Sequence, residues 1–106
     1  MSTSKNNKKQ SCMSEGLKIL GDFWTLYIIQ ALEIQEKRFC QLERDLIGIN
    51  PTTLTNRLKK LEQEKIIQRR EEVLDKLSVS YILTDKGKAI LPILKEIQIF
   101  SNKFLT

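Results

Sequence analysis

The stretch from Ile49 to Glu62, INPTTLTNRLKKLE, constrains this chain more than any other. Asn50 is a strong helix N-cap, and Pro51 suits the first helical position, where a missing N–H leaves no bond unmade. Leu54, Leu58 and Leu61 recur at i, i+4 and i+7 and draw one apolar stripe along the helix so begun. At about 100° per residue, Thr52, Asn56, Lys59, Lys60 and Gln63 fall opposite that stripe, with Thr53 and Thr55 at its edges. The outward face is hydroxyl- and amide-rich at its start, cationic further along, and free of acids over its first two turns. Such a face can offer short polar groups to base edges while its lysines meet phosphates, which makes it a candidate DNA recognition helix. An ordinary surface helix with a threonine-rich start satisfies the same pattern, so the flanking chain has to decide.

The residues before this helix support a helix-turn-helix. Residues 1–11 are poor in apolar side chains and are expected to form a disordered arm, with the folded domain spanning 12–106. Cys12 to Leu20 is expected to be a short helix stopped by Gly21. Asp22 can cap the next helix, from Phe23 to about Ile34, which has almost no polar face and must be covered on several sides. Gln35 to Arg38 makes a polar connection. A third helix is expected from Phe39 to Ile47, with Phe39, Leu42, Leu46 and Ile47 inward. Gly48 turns the chain into Asn50, so a nine-residue helix, a tight turn and a capped helix stand in order.

The residues after it add a wing. Ile66–Val73 and Val79–Thr84 suit strands, and in the second Val79, Tyr81 and Leu83 alternate with Ser80, Ile82 and Thr84. Leu74 to Ser78 is the polar tip between them. Thr84 or Asp85 can cap a last helical region in which Ile90, Ile93, Leu94, Ile97, Phe100 and Phe104 recur at spacings of three and four. Pro92 is costly deep inside a helix, so a kink or a fresh start is expected there. The fold class is therefore mainly α with a small β-hairpin, a winged helix-turn-helix. Its long C-terminal seam and all-apolar second helix exceed what one small domain can hide, which argues for a homodimer.

Charge and composition narrow the function. The net charge of +5 includes Lys5, Lys8 and Lys9 of the N-terminal arm, leaving +2 for the rest. Bulk charge is thus a weak sign of nucleic-acid binding. Its placement says more, since Arg57, Lys59, Lys60, Lys65, Arg69 and Arg70 face only Glu62 and Glu64 between residues 57 and 70. Histidine is absent and there are two cysteines, which removes histidine-based acid–base catalysis and falls short of a zinc site. No enzyme chemistry, metal or cofactor is expected. No secretory signal opens the chain and no apolar run is long enough to span a bilayer. The expectation is a cytoplasmic protein with reduced thiols and no membrane partner.

The order and spacing of several residues resemble the HxlR-type winged helix-turn-helix regulators, relatives of the MarR group. The likeness covers about residues 12–95 and rests on Cys12, Gly21-Asp22-Phe23-Trp24, Arg38-Phe39, Leu42, Ile49, Leu54-Thr55-Asn56-Arg57-Leu58, Leu61-Glu62, Arg69, Val79-Ser80-Tyr81-Ile82-Leu83-Thr84 and Gly87. Met13, Phe23 and Lys76-Leu77-Ser78 depart from the family's usual Pro, Lys and Pro-plus-basic residues at those places. The resemblance implies dimeric DNA binding and transcriptional control, often in response to electrophiles or oxidants, with a cysteine near position 12 acting as a thiol switch.

The candidate DNA contacts are Arg38, Thr52, Thr53, Thr55, Asn56, Arg57, Lys59, Lys60, Arg69, Lys76 and Ser78, on an inverted-repeat operator of double-stranded DNA. Thr52 and Asn56 point straight out, and Lys59 and Lys60 suit phosphates. Arg57 lies nearer the stripe, where it can meet phosphate, meet a base or cover the core with its stem. Arg69 and Arg70 alternate sides of a strand, so at most one faces DNA. Cys12 is the candidate redox sensor, against a small packed residue as the alternative; Cys40 suits a packed role. A winged helix used only for protein interaction or dimerisation is the competing function. Operator, regulated genes and effector are not legible in the chain.

Overall fold

The computed structural model describes the backbone of residues 4–73 and 77–106, and the side chains of 12–72 and 78–106. The order is α1 (Ser4–Leu20), α2 (Phe23–Ala31), β1 (Lys37–Arg38), α3 (Phe39–Asp45), α4 (Pro51–Gln63), β2 (Ile67–Val73), β3 (Leu77–Leu83), α5 (Asp85–Lys88) and α6 (Leu91–Phe104). The helical region α3–α4 and the β2–β3 hairpin form the winged helix-turn-helix expected.

The caps do the local work. The Asp22 carboxylate accepts from the Thr25 N–H at 2.9 Å and so starts α2, while Gly21 N–H closes α1 on Leu17 O at 2.7 Å. A β-carbon at Gly21 would lie 2.5 Å from that same carbonyl, which is why the corner needs glycine. Asn50 Oδ1 accepts from Thr52 N–H at 2.7 Å and starts α4, with Pro51 in the first turn. Helix α4 ends in a left-handed turn at Lys65, φ 62°, where Ile66 N–H reaches back to Leu61 O at 2.9 Å. Thr84 starts α5, and its hydroxyl also donates to Lys65 O at 2.6 Å, tying the exit of the sheet to the end of α4. Pro92 sits in the first turn of α6, a fresh start and not a kink.

One core gathers these elements. Leu54, Leu58 and Leu61 of α4 are buried with Ile28, Ile29 and Leu32 of the α2 region, Leu42 and Leu46 of the α3 region, Ile66 and Ile67, and Tyr81 and Leu83 of β3. The strand alternation holds, with Tyr81 and Leu83 inward and Ser80, Ile82 and Thr84 half-buried on the other side.

Several local expectations change. Helix α1 extends back to Ser4 instead of beginning at Cys12; no proline or glycine interrupts the chain before Gly16, so nothing in the expected arm breaks the helix. Helix α2 stops at Ala31, and Ile34 beyond it is exposed. Helix α3 stops at Asp45 and Ile47 is 88% exposed, not inward, because Gly48 at φ 91° turns the chain after the helical register has been lost at Leu46. Lys37 and Arg38 are not a plain connection. They pair antiparallel with Tyr81 and Ser80, so the hairpin becomes a three-stranded sheet of order β1-β3-β2. The hairpin itself runs in register from Ile67↔Leu83 to Val73↔Leu77. Leu74, Asp75 and Lys76 of its tip lie outside the described residues.

Gly87 is the tightest point. A β-carbon there would stand 2.2 Å from Ile66 O, a backbone atom held in the Thr84 network. Gly87→Ala should therefore destabilise the domain by about 1–3 kcal/mol through overpacking, read as a lower midpoint in urea.

Candidate nucleic-acid interface

Helix α4 carries the candidate face. With Leu54, Leu58 and Leu61 buried, Thr52, Asn56, Lys59, Lys60 and Gln63 are exposed, and Thr53 and Thr55 are half-buried at the edges. The helix is thus turned as the stripe predicts. Its outward face begins at the Asn50 cap, where the first N–H groups already have the Asn50 side chain as acceptor.

Two of its cations are engaged elsewhere. Arg57 turns back to Asp22, with Nε donating to Oδ2 at 2.8 Å and an Nη to Oδ1 at 3.2 Å. Asp22 Oδ2 also accepts from the Thr25 N–H and hydroxyl, so one carboxylate caps α2 and pairs with α4. Hydrogen bonding from Arg57 holds the Asp22 carboxyl at about 2, well below the usual 3.8, against the opposing effect of burial and with help from Thr25. The same bond raises the Arg57 guanidinium further above its ordinary value. Lys60 Nζ donates to Lys18 O at 3.2 Å, near the end of α1. Both ties reach the α1–α2 corner.

The sheet brings further candidates beside α4. Arg69 pairs with Glu71, and that hydrogen bond raises its guanidinium above its ordinary value. Arg70 meets Glu36 at 3.4 Å, and Ser80 donates to the same carboxylate. Arg38 is exposed at the start of α3, where its N–H donates to Gln41 Oε1 at 2.9 Å. Ser78 is half-buried near the wing's end. A cleft of about 410 Å³ separates α4 from the sheet, lined by Phe39, Thr55, Lys59, Glu62, Arg69 and Tyr81 among others. Lys59, Arg69 and Thr55 therefore share one concave surface, while Arg38 and Ser78 lie with Glu36, Gln41, Glu72 and Ser80 around a separate cleft. Lys76 lies outside the described residues, as do the side chains of Lys5, Lys8 and Lys9.

Both cysteines are free and exposed. Cys12 stands on α1, away from the domain core, and Cys40, expected to be packed, faces outward from the first turn of α3. Helices α2 and α6 leave an apolar face open: Phe23 is 61% exposed, Tyr27 44%, Ile97 46% and Phe100 54%. Phe23 packs edge-on against Trp24 and Tyr27, with ring centroids 5.0 and 4.6 Å apart. A groove of about 280 Å³ runs between α2 and α6 across this face.

Sequence reasoning misses the Asp22–Arg57 pair, although one signal is present. Arg57 has no acid within four residues on either side, so a guanidinium at the stripe's edge has to find its anion on another helix.

A helix-turn-helix with a flanking β-hairpin and a polar, acid-free outer start to its second helix defines a DNA-binding protein of the winged-helix class. The pattern of the HxlR-like helix-turn-helix family matches residues 19–106, and the chain belongs to that family. It is 32% identical over 101 residues to the uncharacterised HTH-type transcriptional regulator YvaP of Bacillus subtilis, covering 93% of this chain and 94% of that one. To the HTH-type transcriptional regulator YodB of the same organism it is 33% identical over 92 residues, covering 87% and 82%. The solved structure of reduced YodB superposes with a TM-score of 0.79 at 31% identity, over 98% of this chain and 95% of that one. A MarR-family regulator of Porphyromonas gingivalis gives 0.81 at 29% identity, over 87% and 90%. The chain is a helix-turn-helix transcriptional regulator.

The Asp22 carboxyl is lower in the folded chain than its unfolded value, so it adds stability in full above the usual 3.8, and that contribution is lost as pH falls through about 2. Asp22→Asn keeps a capping side chain but cannot ionise. Thermal unfolding should accordingly show the wild type losing more of its midpoint than Asp22→Asn between about pH 4 and pH 2. Parallel curves for the two proteins would show that the pair adds nothing.

Proposed function

We propose that this regulator binds an inverted-repeat operator as a homodimer, with α4 in the major groove and the β2–β3 wing beside the backbone. The observation that carries the reading is the outer face of α4, which presents Thr52 and Asn56 with no carboxylate over its first two turns. Asn56 offers an amide able to pair two ways with adenine, and Thr52 a hydroxyl one turn earlier. Thr53 and Thr55 flank them. Lys59 and Lys60 hold phosphates further along, with Arg69 across the cleft from Lys59 and Arg38, Ser78 and Lys76 completing the wing side. Two symmetry-related reading helices call for half-sites about 10 bp apart or a multiple of that.

The dimer is supported by the apolar face of α2 and α6. Phe23, Tyr27, Ile97 and Phe100 together exceed the scattered apolar exposure of a monomer's surface. Sedimentation at micromolar concentration should give twice the chain mass, and Phe100→Glu should halve it. A wild-type chain that sediments as a monomer would remove the dimer.

Cys12 supports a thiol response. It is exposed on α1, and YodB, to which this chain is similar, has been solved in reduced, quinone-bound and diamide-treated forms. Diamide should change the operator affinity of the wild type and leave Cys12→Ser unaltered; an equal response in both would reassign the effect.

DNA selected from a random pool by the wild type supplies the operator for the central test. Asn56→Ala should lose about 1–3 kcal/mol on that operator and little on random duplex, narrowing the specificity ratio. Lys59→Ala should weaken both alike and flatten the slope of log K against log salt by about one unit. A chain that enriches no sequence at all would favour the competing function, a protein-interaction or dimerisation module.

A further inference from the structure

Arg57 is the arginine nearest the reading side chains, yet its guanidinium faces the protein. Both of its bonded nitrogens lie on one carboxylate, at 2.8 and 3.2 Å, in the fork geometry that fits a planar guanidinium. The side chain is only one-third exposed. Asp22 is itself fixed by the Thr25 N–H at 2.9 Å and the Thr25 hydroxyl at 2.8 Å, and Thr25 is 2% exposed. The anchor is therefore held at the start of α2 by two bonds from a buried threonine, although Asp22 itself is about one-third exposed. Beside it the corner is closed by Gly21, which has no room for a β-carbon, and Lys60 donates to Lys18 O on the same corner. Thus α4 meets the junction of α1 and α2 twice, one turn apart, and of the two contacts the exposed Lys60 bond is the one that can be exchanged for a phosphate. Asp22 is followed at once by Phe23, the first residue of the exposed apolar face.

We infer that Arg57 is a positioning residue: with Asp22 it latches the reading helix to the base of α2, so that the dimer face sets the angle and spacing of the two reading helices. This rests on the proposed DNA-reading homodimer. A fork-to-fork pair resists rotation of α4 about its axis and sliding along α2, whereas the apolar stripe alone restrains such motion weakly because leucine contacts are non-directional. Arg57 then adds to specificity without touching a base, and it adds nothing to phosphate binding.

The test uses the full-length chain with the operator selected by the wild type, versions of that operator with the half-site spacer lengthened or shortened by one base pair, and a random duplex. Wild type, Asp22→Asn, Arg57→Gln and the double variant are titrated at several salt concentrations, after circular dichroism shows each to be folded and sedimentation shows each to be dimeric. Asn at 22 retains the cap, so the two singles remove the pair from opposite ends. Each single should lose about tenfold on the operator, the middle of the range for directly coupled residues, and the double should lose no more than either. All three should discriminate less between correct and altered spacers, while affinity for random duplex and the salt slope stay at wild-type values. The inference is overturned if Arg57→Gln weakens random duplex and flattens the salt slope by about one unit while Asp22→Asn tightens binding, since Arg57 would then be a phosphate contact restrained by its partner. It is also overturned if both singles keep the full operator preference. A wild type with no preference for any operator overturns the DNA-reading assignment first, and with it any part for Arg57 in specificity.

Discussion

Everything in this domain depends on the burial of three leucines. Leu54, Leu58 and Leu61 leave water almost completely, and each such burial contributes about 1.5–3 kcal/mol relative to exposure. The partners are Ile28 and Ile29 of α2, Leu42 of α3 and Ile66 and Ile67 at the entry to β2, so the same stripe assembles both halves of the helix-turn-helix and seats the sheet. Burial of one face also decides the other. Once the leucines face inward, Thr52, Asn56, Lys59 and Lys60 have nowhere to go but outward, so the core decides which face of α4 meets solvent.

That coupling is why the outward face of α4 was legible in the sequence. The stripe, the caps at Asp22, Asn50 and Thr84 and the helix start at Pro92 all arise from residues three or four apart, where local chemistry settles the outcome. The features that escaped depend on contacts between distant residues or on the exact loss of helical register. Strand β1 is two residues long and exists only because Tyr81 and Ser80 arrive beside it, which no alternation at Lys37-Arg38 can announce. Ile47 is inward on a helical wheel, but the helix stops two residues before it. The left-handed turn at Lys65 uses no glycine, since the Thr84 hydroxyl and the packing of Ile66 hold it in place. Arg57 and Asp22 stand 35 residues apart and meet only in the fold.

The ties of the cations revise what charge counting suggests. Between residues 57 and 70 the chain carries six cations, yet Arg57 is paired with Asp22, Arg69 with Glu71 and Arg70 with Glu36, and Lys60 donates to a carbonyl. Pairing at the surface is weak and can be exchanged for phosphate at little cost, so Arg69, on the cleft beside α4, keeps its charge available. The Asp22–Arg57 pair differs because, besides the two bonds from Arg57, its carboxylate accepts two more from the buried Thr25.

The balance between grip and reading is a consequence of this arrangement. A small net charge, with much of it engaged internally, limits the salt-sensitive attraction to any duplex. In the proposed complex, preference for a particular sequence then draws on direction-dependent contacts from Thr52 and Asn56, whose short side chains tolerate little error in where the helix lies. Long arginines on a loosely held helix can adapt to many grooves; short threonine and asparagine side chains require the helix itself to be placed accurately. A fork-shaped ion pair at the edge of the leucine stripe supplies that placement, because leucines fix which face is inward while the pair fixes the angle at which the outward face is presented.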